Sequence, residues 1–182
     1  AELCSRKTYL DTTMDEIAAA AGVSKGGMYY HYRKKSEVLF DIQRQGIEDL
    51  MSGLEEALAA CPTARDKLRC FIERQLRYYS GHLPQVRTLL NDRHCLEPDQ
   101  AKIVGDLQSR YLEIVRNLVA EAVGRDDPVT VNPIAFGLFG LCNWIPGWFQ
   151  EDGAVSIEEL AVRTAKLFLE GLDGFRDRGE EA

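Results

Sequence analysis

Thr13-MDEIAAAAGVSKGGMYYHYRKKSEV-Leu39 is the stretch from which the fold can be read. Ile17, Ala18 and Ala21 share one face of a helix running from Met14 to Ala21, and Gly22 stands where a helix end needs a residue free to take positive φ. Val23 is placed to pack across the turn, and Ser24 is a good N-cap for a second short helix, Lys25 to about His31. Two short helices meeting through a tight, Gly-containing turn form a helix-turn-helix.

In such a unit the second helix enters a DNA major groove with its N-terminal residues toward the base edges, while the first crosses the backbone. Lys25 offers a donor to guanine edges or phosphate, Gly26 and Gly27 let the backbone approach closely, and Tyr29, Tyr30 and His31 supply further donors. Thr13 and Ser24 open the two helices, and Lys35, at the start of the next one, is placed to grip phosphate. The spacing alone also fits a surface hairpin whose tyrosines pack on a core and whose basic run is merely solvated.

Charge separates these readings further. The 182-residue chain carries −7, which argues against indiscriminate coating of nucleic acid. Between Gly22 and Ser36, however, Lys25, Arg33, Lys34 and Lys35 stand without an acidic residue, a local +4 that leaves −11 on the rest. The five cysteines, Cys4, Cys61, Cys70, Cys95 and Cys142, show no C-x-x-C pair and read as reduced cytosolic thiols. The opening residues do not read as a secretory signal. The most apolar run, Ile134 to Phe149, is shorter than the roughly 20 residues a bilayer needs, so a buried helix, no membrane partner and a cytoplasmic location are expected.

Periodicity is helical throughout, which predicts an all-α chain. One long helix is expected from Glu37 through Leu58 to before Pro62, a second from about Thr63 to Gly81, and a short one over Leu83–Leu90. The clearest apolar stripe, Ile103 to Val123, ends at Gly124 and the Asp126-Asp127-Pro128 breaker. Two last helices are expected from Asn132 to about Gln150 and from Ser156 to about Phe175, Ser156 and Glu159 forming a capping-box pattern, before a charged tail from Arg176.

The string Tyr9, Thr12-Thr13, Met14-x-x-Ile17-Ala18, Ala21-Gly22-Val23-Ser24-Lys25-Gly26, Tyr29-x-His31-Tyr32 and Lys35-x-x-x-Leu39 resembles the TetR family of bacterial regulators. The resemblance implies a helix-turn-helix head, residues 1–36, on a helical ligand-binding and dimerisation body, residues 37–182. It implies DNA contacts at Thr13, Lys25, Tyr29, His31 and Lys35, mostly to phosphates, with Gly26, Gly27 and Tyr30 near base edges. Gly27 stands where a small hydroxyl or methyl residue is common and Thr8 where Gly is common. The chain opens within what resembles the end of the family's first helix, so that helix reads as truncated, with Leu3 and Tyr9 its remaining core residues.

The family dimerises to place two recognition helices on a palindromic operator. Phe136, Gly137, Gly140 and Leu141, with Leu160, Thr164 and Phe168, are the expected interface, on helices spanning Ile134–Phe149 and Ile157–Leu172. Leu141 to Phe149 resembles the penultimate helix of members that respond to acyl-CoA thioesters. Asn143, Trp144 and Trp148 are then read as lining a cavity for a small hydrophobic effector, completed by Met51, Phe71, Gln75, Tyr78, Tyr79, Leu90, Tyr111 and Ile114. The function implied is that of a ligand-released repressor. The rivals are a drug-responsive efflux regulator and a helical protein-interaction module without DNA binding. An enzyme built on His82, Asp92, His94, Cys95 and Glu97 has no ligand or nucleophile spacing to support it, so no catalytic residue, cofactor or metal is expected.

Overall fold

The structure, a computed structural model, describes residues 9–175. Leu3, Cys4, Thr8 and the tail from Arg176 lie outside the described residues. Those described form helices and no strand, as the periodicity predicts. In chain order the helices are α1 Met14–Ala20, α2 Lys25–His31, α3 Lys35–Met51, α4 Leu54–Ala59, α5 Ala64–Gly81, α6 Leu83–Asn91, α7 Pro98–Val123, α8 Pro128–Trp144 and α9 Ile157–Leu172. Short 3₁₀ turns cover Arg93–Cys95 and Ile145–Gly147.

Two boundaries and one cap differ from the sequence reading. The expected long helix from Glu37 to Leu58 is broken after Met51, because Gly53 turns the chain at φ 63°, a left-handed conformation that Gly alone adopts without strain. The helix expected from Asn132 begins instead at Pro128: Asp127 caps it by accepting from the Thr130 N–H at 2.9 Å, and proline is suited to the first helical position. The apolar stretch therefore runs over 20 residues, Pro128–Gly147, long and apolar enough by composition to cross a bilayer, yet only 33% of it is buried. At α9 only half of the expected capping box forms. Ser156 accepts from the Glu159 N–H, while the Glu159 carboxylate pairs with Arg163.

The chain divides into two compact units. The first holds residues 9–49 and 82–108 of those described, so it contains the described part of the expected head together with α6 and the start of α7. Its core includes Ala18, Met28, Leu39, Ile47, Val86 and Val104. Gln43 on α3, fully buried, donates from Nε2 to the Thr88 carbonyl on α6 at 3.0 Å. Arg93 lies so close over Gly105 of α7 that a Cβ there would stand 2.4 Å from its guanidinium.

The second unit, residues 50–81 and 109–175 of those described, is organised around α5 and α9. Leu68, Phe71, Ile72 and Leu76 of α5 are fully buried, and Ala161, Thr164 and Ala165 give α9 a small-residue face against it. Arg65 fastens the pair, donating to Asp173 at 2.6 Å and to the Leu169 carbonyl at 3.0 Å. A methyl group at Gly53 would force an L-residue into the left-handed region, so Gly53→Ala is expected to lower the unfolding free energy by about 1–2 kcal/mol. Urea denaturation measures it, and an unchanged midpoint contradicts the turn described at this corner.

Candidate functional site

The head is built from helix ends. Thr13 and Glu16 form a reciprocal capping box: the Glu16 N–H donates to Thr13 Oγ1 at 3.2 Å, and the Thr13 N–H donates to Glu16 Oε2 at 2.9 Å. At the other end of α1, Gly22 takes φ 69°, its N–H reaches the Ala19 carbonyl and the Val23 N–H reaches Ala18, the paired closure that glycine permits. Ser24 then caps α2 through the Gly27 N–H at 3.0 Å. A Cβ at Gly27 would stand 3.2 Å from Ser24 Oγ, so the bare glycine relieves the cap of crowding, whereas Gly26 faces open space.

This geometry exposes one face of α2. Met28 is buried, while Lys25, Gly26, Tyr29, Tyr30 and His31 point outward, Tyr30 being 85% exposed with its ring edge-on to His31 at 5.1 Å. Lys25 is tied across the turn to Asp15 of α1 at 2.6 Å, a contact that raises its pKa. Lys34 pairs with Glu97 at 3.3 Å.

Lys35, expected to grip phosphate, is engaged inside the head. Its ammonium donates to the carbonyls of Tyr9 at 2.7 Å, Leu10 at 3.0 Å and Thr12 at 2.7 Å, and sits 4.4 Å from the centre of the Tyr9 ring. An ammonium has three N–H donors, so all are used inside the head. Lys35 is a positioning residue that fastens the start of α3 to the segment before α1.

The second unit holds a buried polar chain. Gln75 Nε2 donates to Tyr79 Oη at 2.9 Å, Tyr79 Oη donates to Asn143 Oδ1 at 2.6 Å, and Tyr111 Oη donates to Gln75 Oε1 at 3.1 Å. Phe71, Tyr111 and Phe139 surround it, with ring centres 5.5 to 6.3 Å apart. Burial holds the Tyr79 and Tyr111 phenols well above their ordinary range and pushes the Cys142 thiol up to about 12. The chain is therefore neutral at physiological pH. Arg74 donates from Nη2 to the Ser52 carbonyl at 2.9 Å, while its buried Nε has no acceptor.

Two family models match this chain. One, described as bacterial regulatory proteins of the tetR family, covers residues 1–42; the other, described as a tetracyclin repressor-like C-terminal domain, covers residues 61–172. The chain belongs to the TetR family. Among its relatives, the transcriptional activator FasR of Mycolicibacterium smegmatis is 27% identical over 160 residues, which is 87% of this chain and 73% of FasR. The crystal structure of PfmR from Thermus thermophilus is 29% identical with a TM-score of 0.82, covering 93% of both chains. That of AibR in complex with isovaleryl coenzyme A and operator DNA is 24% identical with a TM-score of 0.79, covering 91% of both. The protein is thus a DNA-binding transcriptional regulator.

Of the residues read from sequence as ligand-binding, Gln75, Tyr79, Tyr111 and Asn143 meet in one hydrogen-bonded chain, and Phe71 packs beside them. Met51, Tyr78 and Ile114 are partly buried in the same unit. Leu90 belongs to the other unit. Trp144 and Trp148 do not line an interior: Trp144 is 74% exposed, because it continues the outer stripe of α8 formed by Phe136 and Gly140. Of the expected dimer residues, Phe136, Gly137, Gly140 and Leu141 are exposed and Leu160 and Phe168 are half-buried. Thr164 is turned inward among the buried residues of α9, which removes it from any outer surface. Phe139, which packs against Phe71 and Tyr111, and Asp15 are not among the site residues read from sequence; for Asp15 the available signal is an acidic side chain beside a basic helix.

Two outcomes follow from this geometry. Asp15→Asn frees Lys25 for phosphate, so binding to random-sequence DNA is expected to tighten several-fold at low salt and the salt slope to steepen by about 0.9. Titrations at several salt concentrations measure this, and superimposable curves mean that Asp15 does not compete. Because the folded pKa values of Tyr79 and Tyr111 are raised, the unfolded state releases these protons first and stability, complete below about pH 10, falls as the pH rises above it. Two of the seven tyrosines should then ionise only as the fold is lost, read by phenolate absorbance against circular dichroism. Seven tyrosines ionising together while the fold persists contradict their burial.

Proposed function

We propose that this TetR-family regulator is a cytoplasmic homodimeric repressor that binds a palindromic operator through α2 of each copy and is released by a hydrophobic acyl-CoA-type effector. The observation that carries the DNA reading is the single outward face of α2, where a capped N-terminus, Lys25, two glycines, Tyr29, Tyr30 and His31 stand together over a buried Met28. In this reading Thr13, Lys25, Tyr29 and His31 meet phosphates. Gly26, Gly27 and Tyr30 approach base edges, Ser24 holds the helix end, and Lys35 sets the height of the head without touching DNA.

The effector site we assign to the polar chain of Gln75, Tyr79, Tyr111 and Asn143 with Phe71, Met51, Tyr78 and Ile114 around it. An uncharged set of donors and acceptors within apolar walls suits a thioester carbonyl and its acyl chain. Arg74 supplies the nearby cation that a phosphate-bearing ligand needs, its buried Nε lacking an acceptor. The isovaleryl coenzyme A bound by AibR, a protein of the same fold, supports this ligand class. For the dimer we assign the outer face of α8, Phe136, Gly137, Gly140, Leu141 and Trp144, with Trp148 just past the 3₁₀ turn that follows it and with Leu160 and Phe168 of α9. The two glycines permit close approach and the aromatics supply area. The effector acts by binding one arrangement of the two recognition helices better than the other, and a coupling of about 1–3 kcal/mol gives a 5- to 150-fold switch.

The test selects binding sites from a random DNA pool with the wild-type chain. It then measures the selected duplex against Tyr30→Ala and Gly140→Arg, with and without isovaleryl coenzyme A or a long-chain acyl-CoA. The expected sites are inverted repeats; Tyr30→Ala lowers discrimination between cognate and mismatched sites, Gly140→Arg yields monomer and loses the site, and an acyl-CoA releases the wild type. No sequence enrichment refutes the operator reading. Release by planar aromatic drugs but by no acyl-CoA refutes the effector reading, and reporter transcription that falls on deletion of the gene refutes repression.

A further inference from the structure

Cys61 occupies the corner between α4 and α5, and Cys70 lies in the second turn of α5. Cys61 Sγ donates to the Ala57 carbonyl at 3.3 Å, and Cys70 Sγ lies 4.0 Å from the same oxygen. Both thiols are unpaired and partly exposed. Both sulfurs face that one carbonyl oxygen; burial first, and then the adjoining Cys61, raises the pKa of Cys70, while Arg74 one turn further along α5 opposes the rise. Of the other described cysteines, Cys95 belongs to the first unit and Cys142 is enclosed beside the phenols of Tyr79 and Tyr111.

We propose that Cys61 and Cys70 form a reversible intramolecular disulfide when the reduced chain meets a hydroperoxide. In the first step one thiol ionises and its sulfur attacks the O–O bond, giving a sulfenic acid and, from hydrogen peroxide, a hydroxide that takes up the thiol's proton as the first water. In the second the neighbouring thiol ionises and attacks that sulfur, expelling hydroxide that takes up the second thiol's proton as the second water while the S–S bond forms. The peroxide takes up the two electrons that the thiols lose, and excess dithiol reverses the bond by exchange.

The bond has a defined mechanical effect. Arg74 already holds the start of α4 through the Ser52 carbonyl, and the disulfide fastens its end, so that α4 is pinned to α5 at both termini. Disulfides that form in a reducing compartment are transient and redox-sensing as a rule, and a pair at an exposed helix corner fits that pattern. This proposal stands independently of the operator and effector readings.

The test treats the full reduced chain with a few equivalents of hydrogen peroxide, counts thiols under denaturing conditions and maps peptides by mass spectrometry before and after dithiothreitol. Expected is the loss of two of the five thiols per chain, a Cys61–Cys70 linked peptide pair, and full recovery on reduction. Cys61→Ser and Cys70→Ser should each abolish the linkage and leave the remaining thiol as a sulfenic acid that dimedone traps. Cross-links joining either cysteine to Cys95, Cys142 or a second chain overturn the proposal. So does separate over-oxidation of the two sulfurs in the wild type, or two thiols unreactive at peroxide concentrations that oxidise glutathione.

Discussion

Each helix leaves four N–H groups without acceptors at its start and four carbonyls without donors at its end, and in the head the answer to that constraint is also the answer to where the recognition helix points. Two N-terminal donors of α1 are met by Thr13 and Glu16, two of its last carbonyls by the amides of Gly22 and Val23, and the Gly27 N–H in the first turn of α2 by Ser24. Three carbonyls before α1, those of Tyr9, Leu10 and Thr12, are met by one ammonium, that of Lys35. Local chemistry thus sets how α2 follows α1, and Tyr29, Tyr30 and His31 are left facing outward.

A similar economy governs the body, with opposite consequences. Burying a phenol or amide without a partner costs about 1–3 kcal/mol in mutational data, so Gln75, Tyr79, Tyr111 and Asn143 are stable only as a set. Their protons run in one direction, Tyr111 to Gln75 to Tyr79 to Asn143, and disturbing one member leaves another unsatisfied. A ligand that replaced one of these bonds would therefore reorganise the rest, which is how a neutral core can respond to a neutral group.

What was legible in the sequence was whatever is decided locally. Gly22 and Ser24 fix the turn between α1 and α2 within a few residues, whereas Gln75, Tyr79, Tyr111 and Asn143 are named from sequence only as lining an expected cavity, their hydrogen-bonded order depending on helices far apart in the chain. The bonds of Lys35 are not legible because its partners lie 23 to 26 residues away, and basic residues near a helix-turn-helix look alike until their acceptors are known. The break at Gly53 was hidden by an apolar periodicity that continues through it into Leu54 and Leu58. The direction of Trp144 is hidden by α8 itself, which is apolar almost all round, so that no stripe distinguishes inside from outside, and that of Trp148 by the 3₁₀ turn over Ile145–Gly147, which breaks the helical register before it. The start of α8 was missed because Asp-Pro serves equally to end one helix and to open the next.

That ambiguity in α8 is informative in its own right. A helix apolar on all sides is stable in water only when all sides are covered, and within one chain Phe136 remains 59% exposed beside Trp144, Leu141 and two glycines. Covering such a face returns roughly 25 cal/mol for each Å² of apolar surface removed from water. The exposed stripe of one chain is self-complementary in kind, small residues alternating with large ones, as a two-fold interface requires. In the proposed dimer the same contact would join two heads into one reader, so the hydrophobic surplus of α8 and the short reach of α2 are complementary features: each is a deficiency in the single chain that a second copy removes.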